Sequence, residues 1–357
     1  MKDKLHNIPS AMKIQKIHMR PFLFNSLLAF TCLMCMQCQT KYPMSSNTEN
    51  PEYALVIHGG AGTILKENMT EDMEQRYHEA LTRALSAGRQ ILEEGGMAID
   101  AVEAAIVIME DEPLFNAGKG AVLTYDGTTE LDASIMTGHN LDAGAVGGVK
   151  TIKNPIKAAI GVMNSSPHVM LVGNGADQFA KELGLDIVDP DYFLTERRIQ
   201  SLKRSKEKEA NNEKQDAATR HGTVGAVALD KEGNIVAGTS TGGMTNKRYN
   251  RIGDAPIIGA ATYADNNTCG ISATGHGEYF IRLAVAHNIH AQMKYGGASL
   301  QEAAEDVILN QLEGLGGDGG IVGLDKNGRI VMVFNSEGMY RGFALPDEKK
   351  TFIFKDE

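Results

Sequence analysis

Midway along the chain a densely charged stretch, Lys203 to Arg220, gives way abruptly to His221-Gly222-Thr223-Val224-Gly225-Ala226-Val227. The first segment has almost nothing to bury, which predicts a mobile linker over 203–220. The second is small and apolar, which predicts a buried strand. A threonine preceded by a glycine therefore leads a core strand directly after a segment open to solvent. Threonine suits strands on its own account. The same position is also where a chain can be cut so that the threonine becomes a free-amine terminus.

Elements are predicted on both sides of this point. A strand over Tyr53–Ile57 runs into His58-Gly59-Gly60-Ala61-Gly62-Thr63, read as a tight turn because neither phosphate-cradling glycine spacing is present. Tyr77, Leu81, Leu85, Gly88 and Leu92 recur at helical spacing before the Gly95-Gly96 stop, and Ala98–Met109 is a nearly apolar helix. Further strands are expected at Leu131–Met136, Ala143–Val149 and Val169–Val172, with a helix at Pro155–Met163. Beyond the linker, Val224–Leu229 and Ile235–Thr239 flank a hairpin turn at Asp230–Asn234. Ile321–Leu324 and Ile330–Phe334 repeat that arrangement, with Leu-Asp-Lys-x-Gly shared between the turns. Helices are expected at Glu278–Tyr295 and Ser299–Gln311, the latter opened by a Ser299/Glu302 capping box. Sheets covered by helices are the layer solution this pattern favours, an α+β fold.

The 357 residues suffice for one large domain or two ordinary ones, and 42% hydrophobic with 22% charged residues is globular composition. A formal net charge of -10 gives no electrostatic reason to bind nucleic acid or an anionic membrane. At the amino end Lys13, Lys16, His18 and Arg20 precede an apolar run from Phe22 to Met36. This is the order of a secretory signal, too short for a spanning helix and interrupted by Asn25. Residues 1–38 are thus expected to be an export segment, with Met12 and Met19 as alternative starts and an uncleaved anchor as the weaker reading. Cys32, Cys35 and Cys38 fall in or at the end of it, and Cys38 is a candidate lipid-attachment residue, although Cys35-Met36-Gln37 matches such a site poorly. Cys269 then remains in the folded body without a disulfide partner, and periplasm or cell envelope is the expected location.

Three threonine-bearing segments follow the linker: Gly222-Thr223-Val224-Gly225, Ser240-Thr241-Gly242-Gly243-Met244-Thr245-Asn246-Lys247 and Ala273-Thr274-Gly275-His276-Gly277-Glu278. Between the last two lies Arg251-Ile252-Gly253-Asp254-Ala255-Pro256. Taken singly, each has a structural explanation, and an Arg three residues before an Asp is often a weak surface pair. Together, and with His58–Thr63, Pro113–Gly118 and Leu131–Met136, they resemble the plant-type asparaginase and isoaspartyl peptidase branch of the N-terminal-nucleophile hydrolases. The resemblance covers Tyr53 to Phe343.

It implies a four-layer αββα sandwich, made as a precursor that cuts itself between Gly222 and Thr223. One fragment would be 51–222 and the other 223–357, both belonging to one domain. The resemblance implies Thr223 as nucleophile with its own α-amine as base, Thr241 orienting it, and Thr274 with Gly275 forming the oxyanion hole. It places substrate among Arg251, Ile252, Gly253, Asp254, Thr274, Gly275, His276 and Gly277. Arg251 would hold the α-carboxylate and Asp254 the α-ammonium. His276 would line the pocket, and His221 would belong to the processing neighbourhood. Ala255 departs from the Ser common in relatives, which bears on fine specificity only.

No cofactor and no side-chain metal site are implied for catalysis. Backbone carbonyls near Glu110, Glu112, Phe115, Ala117 and Lys119 would wrap a structural sodium ion. Two αβ heterodimers would pair, the ligand being a small molecule: L-asparagine or a β-aspartyl (isoaspartyl) dipeptide. Glycosylasparaginase is the nearest alternative. A secreted binding protein of the same fold that never matures is the alternative from another class.

Overall fold

Alternating apolar patterning on both sides of the charged stretch builds two sheets that face one another. The computed structural model describes residues 50–211 and 222–357, within a compact unit spanning Thr48–Glu357. The strands are β1 (Ala54–Gly62), β2 (Leu131–Thr137), β3 (Ala143–Val149), β4 (Met170–Val172), β5 (Val224–Leu229), β6 (Ile235–Thr241), β7 (Thr262–Ala264), β8 (Cys269–Gly275), β9 (Gly319–Asp325), β10 (Ile330–Phe334), β11 (Gly338–Ala344) and β12 (Lys349–Phe354). One sheet runs β12-β11-β1-β5-β6-β2-β3-β4 and the other β10-β9-β8-β7. The helices are α1 (Glu71–Glu93), α2 (Ala98–Asp111), α3 (Pro155–Ser165), α4 (Gly173–Glu182), α5 (Glu196–Ala210), α6 (Gly277–Leu283), α7 (Val285–Gly296) and α8 (Leu300–Glu305).

Strand parity sorts the side chains into three cores. Leu55, Ile57, Val224, Ala226 and Ala228 face α1 and α2 in the first. Ala54, Val56, Val227, Leu229, Ile235, Val322 and Leu324 fill the seam between the sheets. Ile271, Ala273 and Ile321 face α7 and α8 in the third. Helix, sheet, sheet and helix therefore stack as a four-layer αββα sandwich. The two hairpins do share a turn. The Asp230 carboxylate accepts the N–H groups of Glu232 and Asn234, and the Asp325 carboxylate those of Asn327 and Arg329. Gly233 and Gly328 supply the positive φ, +81° and +74°.

Three expectations need correction. His58–Gly62 is not a turn: β1 continues through it, paired to β5 and β11, with a bulge between His58 and Gly60. The glycines serve close approach, since a Cβ on Gly59 would lie 2.4 Å from the Phe115 ring. The charged stretch is helical through Ala210 as the second half of α5. It is anchored by buried Leu202 and by Glu209, which accepts from Arg248 and Asn246. Finally, the single helix expected at Glu278–Tyr295 is two, broken at Ala284 with φ 47°. There the N–H groups of Ala286 and His287 bond to the carbonyls of Ala260 and Gly259 instead of continuing the helix. The export segment, its three cysteines, residues 212–220 and His221 lie outside the described residues. Cys269 is buried as a free thiol.

Candidate active site

Strand register assembles the centre. Val224 pairs with Ser240 on β6, and Thr241 pairs with Asp132 on β2. Thr223, one step before Val224, thus lies beside Thr241 at the open end of the sandwich. Its hydroxyl donates to the Thr241 hydroxyl oxygen at 3.1 Å, and that oxygen also accepts the Gly243 N–H at 3.0 Å. The Thr223 proton is thereby directed to Thr241, leaving lone pairs free on the Thr223 oxygen.

The peptide ahead of Thr223 is held from two sides. The Asn116 N–H donates to the Gly222 carbonyl at 3.0 Å, while Gly242 N–H donates to the Asn116 carbonyl at 3.1 Å. The Asn116 side chain donates to the Gly243 carbonyl and accepts from Val122 N–H. Gly60 packs so closely on the other side that a Cβ there would lie 2.5 Å from Gly222 Cα. Gly222 itself has φ +154°, and a Cβ on it would lie 2.7 Å from the Asn116 Cβ. Only glycine fits at both places.

A small cleft opens on Thr223, lined by Thr241, Gly243, Met244, Arg251, Gly253, Asp254, Gly275, His276 and Gly277. Arg251 and Asp254 converge on Gly277: a Cβ there would be 2.7 Å from Asp254 Oδ1 and 2.9 Å from Arg251 Nη2. A cation and an anion side by side suit a ligand with adjacent carboxylate and ammonium groups. Arg251 is already oriented, its Nε and Nη2 donating to the Glu278 carboxylate at 2.9 Å each. Burial raises the Glu278 carboxyl, and the bonded guanidinium more than offsets this, leaving it below the usual carboxylate range. His276 Nε2 lies 3.3 Å from the same carboxylate.

Thr274 is fully buried, and its hydroxyl has no hydrogen-bond partner among the described residues. A buried orphan hydroxyl costs stability unless something else binds it. It sits one residue before Gly275, where a Cβ would collide with the Phe280 ring at 2.4 Å. Ile252 does not line the cleft; its side chain points to Gly147, where a Cβ would meet it at 2.9 Å.

Main-chain carbonyls pack closely against the glycine turn 118–120. A Cβ on Gly118 would lie 2.3 Å from the Glu110 oxygen, and one on Gly120 2.0 Å from the Phe115 oxygen. With the carbonyl end of α2 adjacent, this loop fits a hard cation held by backbone oxygens. Among the described residues the side-chain cluster with metal-ligand spacing is Glu74, His78 and Glu357, none of which belongs to the cleft.

Sequence reading therefore placed Thr223, Thr241, Arg251, Gly253, Asp254, Gly275, His276 and Gly277 in one cleft, with Thr274 buried just before Gly275. It missed Glu278 as partner of Arg251, Met244 as lining and the His58 ring. It left Asn116 in the cation loop without its bond to Gly222. The i,i+2 spacing of His276 and Glu278 was the one available hint; the other contacts are long-range.

The sequence model of a family described as Asparaginase matches residues 51–353. The chain is 46% identical over 309 residues to the isoaspartyl peptidase of Escherichia coli (strain K12), covering 85% of this chain and 96% of that one. It is 43% identical over 286 residues to the isoaspartyl peptidase/L-asparaginase of Homo sapiens, with 80% and 91% covered. The corresponding figures for the Mus musculus isoaspartyl peptidase/L-asparaginase are 42% over 289 residues, 80% and 86%.

Proposed function

Because the chain belongs to the asparaginase family and is a hydrolase of the isoaspartyl peptidase/L-asparaginase kind, we propose that it opens its own backbone between Gly222 and Thr223 and then uses Thr223 to hydrolyse L-asparagine and β-aspartyl dipeptides. The observation that carries this reading is the setting of one peptide bond. Its carbonyl is polarised by Asn116 N–H, and the hydroxyl of the next residue is oriented by Thr241.

In maturation the Thr223 oxygen adds to the Gly222 carbonyl carbon, and charge builds on the oxygen that Asn116 N–H already binds. The amide nitrogen leaves with a proton, giving an ester. Water then cleaves the ester to a Gly222 carboxylate and a Thr223 bearing a free amine and hydroxyl. In turnover that amine takes the hydroxyl proton as the oxygen attacks the substrate's side-chain carbonyl. The orphan Thr274 hydroxyl and Gly275 N–H would receive the developing oxyanion. The protonated amine returns its proton to the leaving nitrogen, and water releases the aspartyl group. Arg251 and Asp254 grip the α-carboxylate and α-ammonium, which leaves the β-amide facing Thr223.

The carbonyl loop at Glu110–Lys119 would hold a sodium ion, and its role would be to brace Asn116. Exchange of sodium for choline should then slow maturation. We also propose export through residues 1–38 and pairing of two αβ units, readable from the mature amino terminus and from the molecular mass in solution by light scattering. The substrate assignment is tested by assaying asparagine, a β-aspartyl dipeptide and N4-glycosylated asparagine side by side. Preference for the first two is expected; a strong preference for the glycosylated compound would overturn it.

A further inference from the structure

At the site's end of the sandwich the seam between the sheets is polar. His58, Ser134, Thr239, Thr262 and Ser272 are all 0% exposed there. Polar groups so buried cost stability unless they are bonded, and these bond to one another in a line. His58 Nδ1 lies 3.1 Å from the Thr223 carbonyl and its Nε2 2.9 Å from the Ser272 hydroxyl. Ser272 lies 2.7 Å from Thr239, Thr239 2.6 Å from Thr262, and Thr262 2.8 Å from Ser134. Ser134 ends the line on the Ala255 carbonyl at 2.5 Å. One end is the backbone of the nucleophile residue and the other that of the residue after Asp254.

We propose that His58 is a positioning residue for Thr223, and that the hydroxyl line ties it to the loop carrying Asp254. This rests on the reading of Thr223 as nucleophile. A carbonyl only accepts, so Nδ1 must carry the ring proton and Nε2 must accept from Ser272. The ring is neutral, burial having pushed its pKa down to about 3. Gly225 is shaped for this contact: a Cβ there would sit 2.0 Å from Ser272 Oγ and 2.5 Å from His58 Nε2. Once the backbone opens, Thr223 is a chain terminus, and termini fray unless tied down. The His58 bond fixes the Thr223–Val224 peptide plane, which holds the Cα bearing the amine and the hydroxyl-carrying side chain.

Proton counting separates the two ends. From Nε2 to the Ala255 carbonyl there are five links, and the Ser272 hydroxyl also lies 3.0 Å from the Gly238 carbonyl, so the four hydroxyl protons are shared among more contacts than they can fill. Removing the Ser134 hydroxyl takes the donor from the Ala255 carbonyl, while Ser272, separated from it by Thr262 and Thr239, keeps its own proton for His58 Nε2. Ser134→Ala should therefore act on substrate binding, and His58 substitutions on turnover.

The test uses matured full-length enzyme on a β-aspartyl dipeptide, with melting curves alongside, and 15N-histidine NMR of the wild type and of His58→Asn. His58→Ala should lower kcat by about tenfold or more at little-changed KM. His58→Asn, whose Nδ2–H occupies the place of Nδ1–H, should recover most of that loss. Ser134→Ala should raise KM by about threefold or more with a smaller change in kcat. The NMR should show a ring protonated on Nδ1, absent from His58→Asn, that stays neutral at mildly acidic pH. A kcat in His58→Ala equal to wild type, no recovery in His58→Asn, or a His58 ring protonated on Nε2 would overturn the assignment. Wild-type enzyme without activity would contradict the reading of Thr223 instead, and the ring tautomer would still decide the role of His58.

Discussion

The backbone N–H of Asn116 donates to the carbonyl oxygen of Gly222 across 3.0 Å. A loop far earlier in the chain thereby polarises the one peptide bond whose opening would free Thr223. Asn116 is held in turn by Gly242, Gly243 and Val122, so the donor is fixed before any reaction begins, as preorganised stabilisation requires.

Gly222→Ala should keep the fold and delay maturation. The new Cβ meets the Asn116 Cβ at 2.7 Å in a backbone region that L side chains avoid, a strain of about 1–3 kcal/mol that the loop relieves by moving away. Gel electrophoresis over time should show slower appearance of two fragments. An unchanged rate would mean that the Asn116 contact does not matter.

Thr241→Val removes the acceptor of the Thr223 hydroxyl. The expected result is a fall in kcat of about a hundredfold with little change in KM, since orientation rather than substrate binding is lost. Thr241→Ser should restore most of it. An unchanged kcat in Thr241→Val would show that the Thr241 hydroxyl does not orient Thr223.

Thr274→Val separates catalysis from stability. The wild-type hydroxyl is buried without a partner among the described residues, so deleting it should leave the melting temperature unchanged or raised. If that hydroxyl binds the oxyanion, kcat should fall by about a hundred- to a thousandfold. A variant with lowered melting temperature and near-normal kcat would contradict both halves.

Two buried groups give opposite pH dependences. Burial pushes His58 from 6.5 down to about 3, so its contribution to stability is present above 6.5 and lost as pH falls toward 3. Burial pushes Glu110 from 4.5 up to about 8, with Ser240, Ile156 N–H and Asn154 opposing. The folded state then keeps a proton that the unfolded chain releases, so that contribution is present below 4.5 and lost as pH rises through 8. Melting curves should show Glu110→Gln losing less stability than wild type between about pH 5 and about pH 8. Parallel curves for the two proteins would show that Glu110 is ionised in the fold.

Much of this architecture was legible because it is periodic. Leu81, Leu85 and Leu92 reveal α1 by spacing alone, and Val224–Leu229 reveals β5. What escaped depends on partners distant in sequence. His58–Gly62 has turn composition, yet β5 and β11 claim its backbone as strand. Residues 203–210 look unable to bury anything, yet Glu209 finds Arg248 and Asn246 after the fold brings them near. The break at Ala284 comes from carbonyls at Gly259 and Ala260. In the site, threonine–glycine segments marked residues that the fold gathers at the cleft. The Glu278 clamp on Arg251 and the Asn116 bond to Gly222 left no local pattern to read.

The claim on which the rest depends is that Thr223 becomes a chain terminus. Amino-terminal sequencing and intact mass of the purified protein, beside Thr223→Ala, test it most directly. The account predicts two wild-type fragments, the second beginning Thr223-Val224-Gly225, and a single uncut, inactive chain for the variant. A wild-type protein continuous through Gly222–Thr223 that nevertheless hydrolyses β-aspartyl dipeptides would contradict it.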